Sequence, residues 1–561
     1  MDRRFILAIV LMMVVLVVPS LILKRNPRVV PRPTPVAVTP ALPPTLGAPP
    51  GARPTKLVAE GPDGAAEDTV RVMSGLYRYS FSTRGGRLVG AEMTSYRSMR
   101  KDEPGQSAQI IDPSSNFLAL GLLIGRDTIP LRNLTFHPSA KDVQVGLDGA
   151  QLSWEASLDS LTTVALTYRF VPENYRIAVS GKLTGVGPAG ATLLIGMGPG
   201  LRNTEADSTE YARELGLVTR DTRSQLTTFS SLKPGELTSL SGPFQWVAVK
   251  AKYFVAAVIS PDTSAAAPGR FGGVQATATD RLHKNPQAAD VWTSLTIGSE
   301  GTFDFGLYVG PMEYPRLRAI GHGFDDNNPY GWAWLRPVIR PVAVGARWLL
   351  VWLHEKLGLA YGLGLVVFGI LIRLVLWPLN QKAMRASMAM QAIQPVLKDI
   401  QDRYKNEPQR LQQEMFKVYK ENSVNPFSGC WPVLLPWPIL IALFFVFQNS
   451  IELRGQAFLW VPDLSRPDPL FIIPILMAVS MFGVTRIGQL GLPPNPQTKM
   501  MLYFMPIMML VLFLRFASGL NLYYAVQNLA SIPQQWLVAK ERMRRAAVTT
   551  PPPAPVRIAK K

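Results

Sequence analysis

One arginine interrupts an apolar run. Arg373 lies in GILIRLVLWPLNQK, residues 369–382, and the run extends from about Leu357 to Leu379, long enough to cross a bilayer. A charge at membrane depth costs about 2.5–3.5 kcal/mol on insertion scales, so such residues are usually paired, wetted or functional. The residue sits seven positions before Asn380, roughly 10 Å below the nearer surface at 1.5 Å per residue. Two environments suit it. The guanidinium can snorkel to the headgroups along its own apolar stem, or it can stand in a water-filled cavity, which requires other polar groups at similar depth.

The final apolar stretch supplies such groups. Asn521, Tyr524, Asn528, Ser531 and Gln535 fall within about 80° of one helical face at 100° per residue, while Leu522, Val526 and Leu529 lie outside it. A continuous polar stripe is unfavourable against lipid, so it faces protein or water. Hydrogen bonding between helices is one use for it; a hydrated cavity shared with Arg373 is the other, and the two features together favour the cavity. A third cluster, Met384, Met388 and Met390, is either plain packing or a surface that accepts varied apolar segments. No catalytic constellation stands out. His137, His283, His322 and His354 show no ligand spacing, so no metal and no cofactor is expected, and a single cysteine, Cys430, excludes an intramolecular disulfide framework.

These residues need elements to place them. The 561-residue chain is 47% apolar, which points toward a membrane protein. Residues 1–24 contain the apolar run 5–23 with no clear cleavage site, and are expected to be an N-terminal transmembrane anchor. Residues 25–55 form a proline-rich linker, with ten prolines between 26 and 55, favouring extended backbone. From 56 to 325, short alternating runs such as TTVALTYRFVPENYRIAVSGKL and QWVAVKAKYFVAAVIS indicate antiparallel strands, a large β-sandwich in one domain. Residues 326–352 carry Arg336, Arg340 and Arg347 within about 40° of one another on a wheel, opposite apolar residues, and are expected to be an amphipathic helix on the membrane surface. Region 353–540 holds five candidate spans, about 357–379, 427–448, 469–486, 500–516 and 520–538, with a helical hairpin over 380–425. Residues 541–561 are a basic tail. With the anchor, the fold class is a polytopic α-helical membrane protein of six transmembrane helices with an inserted all-β domain.

Charge gives the sidedness. Loop 380–425 carries eight Lys/Arg and the chain from Lys540 onward seven, whereas 450–468 carries two beside three carboxylates. By the positive-inside rule, the hairpin, tail and N-terminus are cytoplasmic and the β domain lies outside. The basic cluster Lys24, Arg25, Arg28 and Arg32 is then a local exception, tolerable because large domains translocate largely regardless of flanking charge. The net charge of +19 is therefore largely a matter of topology. Two other functions use similar features: a transporter or channel, which usually shows internal repeats and a midplane site, and an envelope enzyme with a sugar-active β domain, which needs clustered carboxylates. Neither signature is found in the sequence.

Several stretches of region 325–540 occur in a familiar order: IRLVLWPLNQKAMRASMAMQAIQP, YKENSVNPFSGCWPVLL, NSIELRGQAFLWVPDLSRPDPLFIIPILMAVSMF and FASGLNLYYAVQNLASIPQQ. In these the chain resembles the YidC/Oxa/Alb family of membrane protein insertases, and the anchor, tether and β domain resemble its Gram-negative type, whose exported domain is a β-supersandwich related to sugar-binding folds. The resemblance implies a multi-pass inner-membrane protein that is not an enzyme, inserting and helping to fold membrane proteins alone or with the Sec translocon, without ATP. It implies a hydrophilic groove open to the cytoplasm and lipid, with Arg373 as the groove arginine that attracts acidic residues of short segments. Tyr523 and Tyr524 match the substrate-contacting tyrosine region, Asn521 and Asn528 join that polar face, and the hairpin with Met384, Met388 and Met390 receives nascent chains. Client helices would enter lipid beside spans 427–448 and 500–516. The tail could bind the ribosome through phosphate contacts or simply be solvated and fix topology; membrane lipids complete the expected partners. Two positions depart from the pattern: Gly369 stands where a proteobacterial relative has a substrate-contacting threonine, and Pro436 replaces a usual glutamine. Arg515 is read as snorkelling outward.

Overall fold

A computed structural model describes residues 67–549 apart from 126, 159–161, 186–189, 262–269, 281–285, 329–334, 383–392, 422–436 and 492–495. The expected anchor and linker, Met384, Met388, Met390, Cys430, Pro436 and the end of the tail lie outside the described residues.

Alternation produces the strands of the β domain. Val164, Leu166, Tyr168 and Phe170 in Thr163–Phe170 point inward while their neighbours are less buried, as a period of two requires. The described strands form three sheets of five, nine and six strands. The five-stranded sheet runs 107–111, 88–97, 77–82, 69–73 and 142–144, its last pair parallel. The nine-stranded sheet runs 224–228, 216–220, 246–250, 254–259, 302–311, 176–183, 163–170, 150–157 and 137–138. The six-stranded sheet runs 238–244, 271–278, 289–297, 191–196, 120–124 and 127–130. A single apolar cluster from Val70 to Phe324 is common to them. At Trp246–Lys250 and Phe254–Ile259 every residue is buried, so these strands lose the half-exposed character that alternation suggested. Even Lys250 is enclosed, its Nζ bonded to Glu214 Oε2 at 3.2 Å and Asn328 Oδ1 at 3.0 Å.

Helices α1 (Ser208–Glu214) and α2 (Tyr314–Ile320) belong to this domain, and α3 (Arg336–Leu357) leads out of it. Helix α3 differs from the expected surface helix in position and in use. It starts later than 326 and runs past 352, ending where Gly358 takes a left-handed conformation, so the span expected from 357 begins at Tyr361. Its arginine row serves protein contacts. Arg336 Nη1 donates to Ser224 O at 3.2 Å, Arg340 lies 3.6 Å from Asp325 and 3.8 Å from Asp326, and Arg347 is buried against Glu452. The side left open bears Trp348 and Trp352, stacked with centroids 6.5 Å apart.

Beyond it follow α4 (Tyr361–Val375), the hairpin helices α5 (Gln394–Arg403) and α6 (Pro408–Glu421), then α7 (Trp437–Asn449), α8 (Ile472–Gly488), α9 (Pro496–Phe513) and α10 (Ser518–Thr549). Among the described residues, no helix is long and apolar enough to cross a membrane. Proline and glycine set these limits. Pro378 deprives the Leu374 carbonyl of its donor, and α4 breaks at Leu376 before the helical turn 377–382. At 15 residues α4 rises about 22 Å, short of a hydrocarbon core of about 30 Å. The 32-residue α10 is long enough but too polar.

Loop 450–468 joins the two parts. Ile451 enters the β-domain core. Glu452 receives Arg347 at 2.8 Å and the Tyr314 amide at 3.3 Å, while Arg347 also donates to Met312 O at 2.7 Å. Arg454 pairs with Glu205 at 2.9 Å and reaches Thr204 O. The far side of the loop holds the start of α10: Ser518 and Gly519 amides donate to Arg466 O at 2.7 Å and Leu464 O at 2.9 Å. Asp468 accepts from the Ile473 amide at 2.7 Å and from the Trp460 indole, fixing the first turn of α8.

Candidate functional site

Helices α4 and α10 pack against each other at Gly369. A methyl group there would lie 2.9 Å from Val526 Cγ1 and 3.6 Å from Tyr523 Cδ2, so glycine permits the close approach. One turn further along, Arg373 projects from the margin of this contact, with exposed Leu374 and Val375 following it.

Arg373 is half-buried. Its Nη2 donates to Gln534 Oε1 at 2.7 Å, and Gln534 Nε2 donates in turn to Trp377 O at 3.0 Å and Gln381 Oε1 at 3.4 Å. Gln534 is fully buried. One amide therefore serves two clients: it accepts from the cation and satisfies a carbonyl at the broken end of α4. Arg373 Nε is buried without a partner, and among the described residues no carboxylate lies within 4.0 Å of the guanidinium. A cation held by a neutral amide and no anion is suited to receive a carboxylate.

The expected polar stripe goes elsewhere. Asn528 Nδ2 donates to Met477 O at 3.3 Å and Ser480 Oγ at 3.2 Å, both on α8. Asn521 is buried, donating to Phe513 O at 3.0 Å at the end of α9. Ser531 Oγ bonds back to Asn528 O at 2.7 Å, and Tyr524 meets Phe513 edge-on with centroids 5.3 Å apart. This face joins α10 to α8 and α9, which is the interhelical use of polar side chains. It does not converge on Arg373.

Tyr523 does lie toward α4, but in the core. It is 1% exposed, between Phe368 at 5.7 Å and Phe447 at 5.5 Å, with its hydroxyl accepting from Gln527 Nε2 at 2.9 Å. The face toward α4 is thus Tyr523, Gln527 and Gln534, a second polar line at spacings of four and seven. That line was visible in the sequence. Adjacent Gln534 and Gln535 are about 100° apart on a helix, and the sequence expectation placed only Gln535 on the functional face.

Exposed apolar side chains are concentrated on the outer faces of these helices: Val479 on α8, Ile507 and Val511 on α9, Leu529 and Trp536 on α10. Contiguous exposure of this kind marks a membrane or partner surface.

Two family profiles match the chain. Residues 69–339 match the YidC periplasmic domain, and residues 352–546 match the 60Kd inner membrane protein. They define a class of inner-membrane protein with a periplasmic domain. The membrane protein insertase YidC of Chlorobaculum tepidum is 31% identical over 503 residues, 84% of this chain and 81% of its own. That of Chlorobium luteolum is 35% identical over 438 residues, 73% and 72% respectively. A solved structure of an active YidC insertase with its first transmembrane domain resolved covers 84% of this chain and 95% of its own, at 17% identity and a TM-score of 0.34. The sequence relatives are decisive: the chain belongs to the YidC family of membrane protein insertases.

Proposed function

We propose that this chain inserts integral proteins into the inner membrane, and helps them fold, by presenting Arg373 to polar segments entering from the cytoplasm. The observation that carries the reading is the partnering of Arg373, whose guanidinium is bonded to a neutral glutamine and to no carboxylate among the described residues. A short client segment bearing acidic residues finds there a cation whose hydration has already been partly removed. The attraction offsets part of the cost of taking the segment's own charge out of water. No bond is made or broken, and no nucleotide is needed. The apolar part of the client then leaves sideways into lipid beside α7 and α9, the latter bearing exposed Ile507 and Val511.

In this reading α4 and α7–α10 form the five-helix core, with the β domain periplasmic and both termini cytoplasmic. Helices broken by proline are tolerated in lipid where neighbours re-satisfy the backbone, and just past the break in α4 Gln534 Nε2 donates to Trp377 O. Helices shorter than the hydrocarbon layer thin it locally, which reduces the distance a client must cross. Trp348 and Trp352 on the open side of α3 suit the outer headgroup region. Nascent membrane proteins are the clients, the Sec translocon a working partner, the ribosome a contact of the basic tail, and the hairpin of α5 and α6 the receiving surface.

The test uses cells depleted of other insertase and a single-span client with a short acidic translocated tail. Arg373→Lys should retain most insertion and Arg373→Ala should lose it, by about tenfold or more, the worth of one charged hydrogen bond. Normal insertion by the Ala variant contradicts the reading.

A further inference from the structure

We infer that Gln534 is the resident ligand of Arg373, an amide that a client carboxylate must displace, so that Gln534 sets how strongly acidic segments are preferred over neutral ones. The inference rests on the proposed role of Arg373 and names the residue that tunes it.

Glutamine suits this place for a reason specific to its side chain. Its oxygen accepts from Arg373 Nη2 at 2.7 Å while its nitrogen donates to Trp377 O at 3.0 Å and Gln381 Oε1 at 3.4 Å. A glutamate would satisfy the cation but would turn an oxygen toward both of those acceptors. An apolar side chain would leave the Trp377 carbonyl and the guanidinium without their partner. The amide thus holds the cation in position at modest strength, since a neutral acceptor binds a guanidinium about half as strongly as a carboxylate does. A client carboxylate can outcompete it. The side chain is fully buried and enclosed between α4 and α10, so the exchange is between two ligands of one cation rather than between ligand and bulk water. The displaced amide keeps its bond to Trp377 O. Its oxygen gives up the guanidinium for as long as the client is bound, and this favours return of the site to its starting state when the client departs.

Gln534 acts through Arg373, which makes it a positioning residue, and the decisive readout is client-charge preference. The full-length protein is assayed with two clients, one with an acidic translocated tail and one whose tail carries Asn and Gln instead, and the ratio of their insertion is measured. Gln534→Glu should lower the acidic-to-neutral ratio by about tenfold, because a built-in carboxylate outcompetes the client. Gln534→Met, of similar volume but with no acceptor, should leave the ratio at or above the wild-type value. Arg373→Ala, run in parallel, should abolish the preference. If Arg373→Ala abolishes it while Gln534→Glu leaves it intact, the resident-ligand inference is overturned and the role of Arg373 stands. If Gln534→Glu and Gln534→Met lower the ratio equally, Gln534 is merely structural. If Arg373→Ala keeps the preference, both readings are overturned.

Discussion

Arg373 and Arg347 show two ways of keeping a guanidinium out of water. Arg347 is paired with Glu452 in a site where both are about nine-tenths buried, and it donates as well to Met312 O. Removing one partner of such a pair leaves an uncompensated charge, so Glu452→Ala should lower stability by about 3–5 kcal/mol, and replacing both partners by apolar residues should recover most of it. Denaturant unfolding of the detergent-solubilised full chain checks this; an unchanged midpoint for Glu452→Ala would refute it. Asp326, between β domain and α3, behaves differently. Burial lifts its carboxyl above the ordinary value of 3.8, although Arg340 pulls the other way. The folded state then holds that proton more tightly than the unfolded chain does. Its contribution to stability is present in acid and is lost as pH rises past 3.8 through the higher folded value. Asp326→Asn should flatten this decline above pH 3.8, measured as unfolding midpoint against pH; equal slopes would show that Asp326 does not titrate as stated. At this scale the sequence was legible in part. Arg373 declares itself by lying in an apolar run, but Gln534 does not, because its neighbour Gln535 completes an equally regular stripe and only the packing of α10 decides which stripe meets α4.

The contact of α4 with α10 depends on a missing side chain. Gly369→Thr would put a β-carbon 2.9 Å from Val526 Cγ1, and overpacking of this sort costs about 1–3 kcal/mol. The expected result is a less stable protein in which Arg373 and Gln534 are drawn apart. Thermal unfolding and insertion of the acidic client should both fall, and both should recover in Gly369→Thr/Val526→Ala. Failure of the second substitution to restore either would mean that the contact is not the limiting one. Glycine in an apolar stretch is ambiguous in sequence, since it can mark a kink, a cap or a close approach. The strands were clearer, because alternation in segments such as TTVALTYRF fixes which side chains face inward. Helix ends were not. Gly358 and Pro378 were in view, yet the hydrophobic run passes through both, and the hydropathy pattern joined what the backbone divides.

At the scale of the whole chain, loop 450–468 explains how a β domain and a helical region act as one body. Ile451 is buried in the β core, Glu452 and Arg454 hold α3 and the strand connections, and Leu464 and Arg466 hold the first turn of α10. The helix bearing Gln534 is thus tied at its first turn, through this loop, to the β domain, and lies beside Arg373 at its middle. Sequence composition pointed to two regions and an outward loop between spans, but the joint depends on pairings more than a hundred residues apart, for which no local pattern exists. The central claim is that Arg373 stands in a pocket reached by water from the cytoplasm. The most direct measurement places the one cysteine of the chain at that position, in a Cys430→Ser background, and asks whether a membrane-impermeant thiol reagent labels it from each side of sealed vesicles. Labelling from the cytoplasmic side alone is the predicted result. A cysteine at 373 that stays unlabelled from the cytoplasm, with or without a client, would contradict the account.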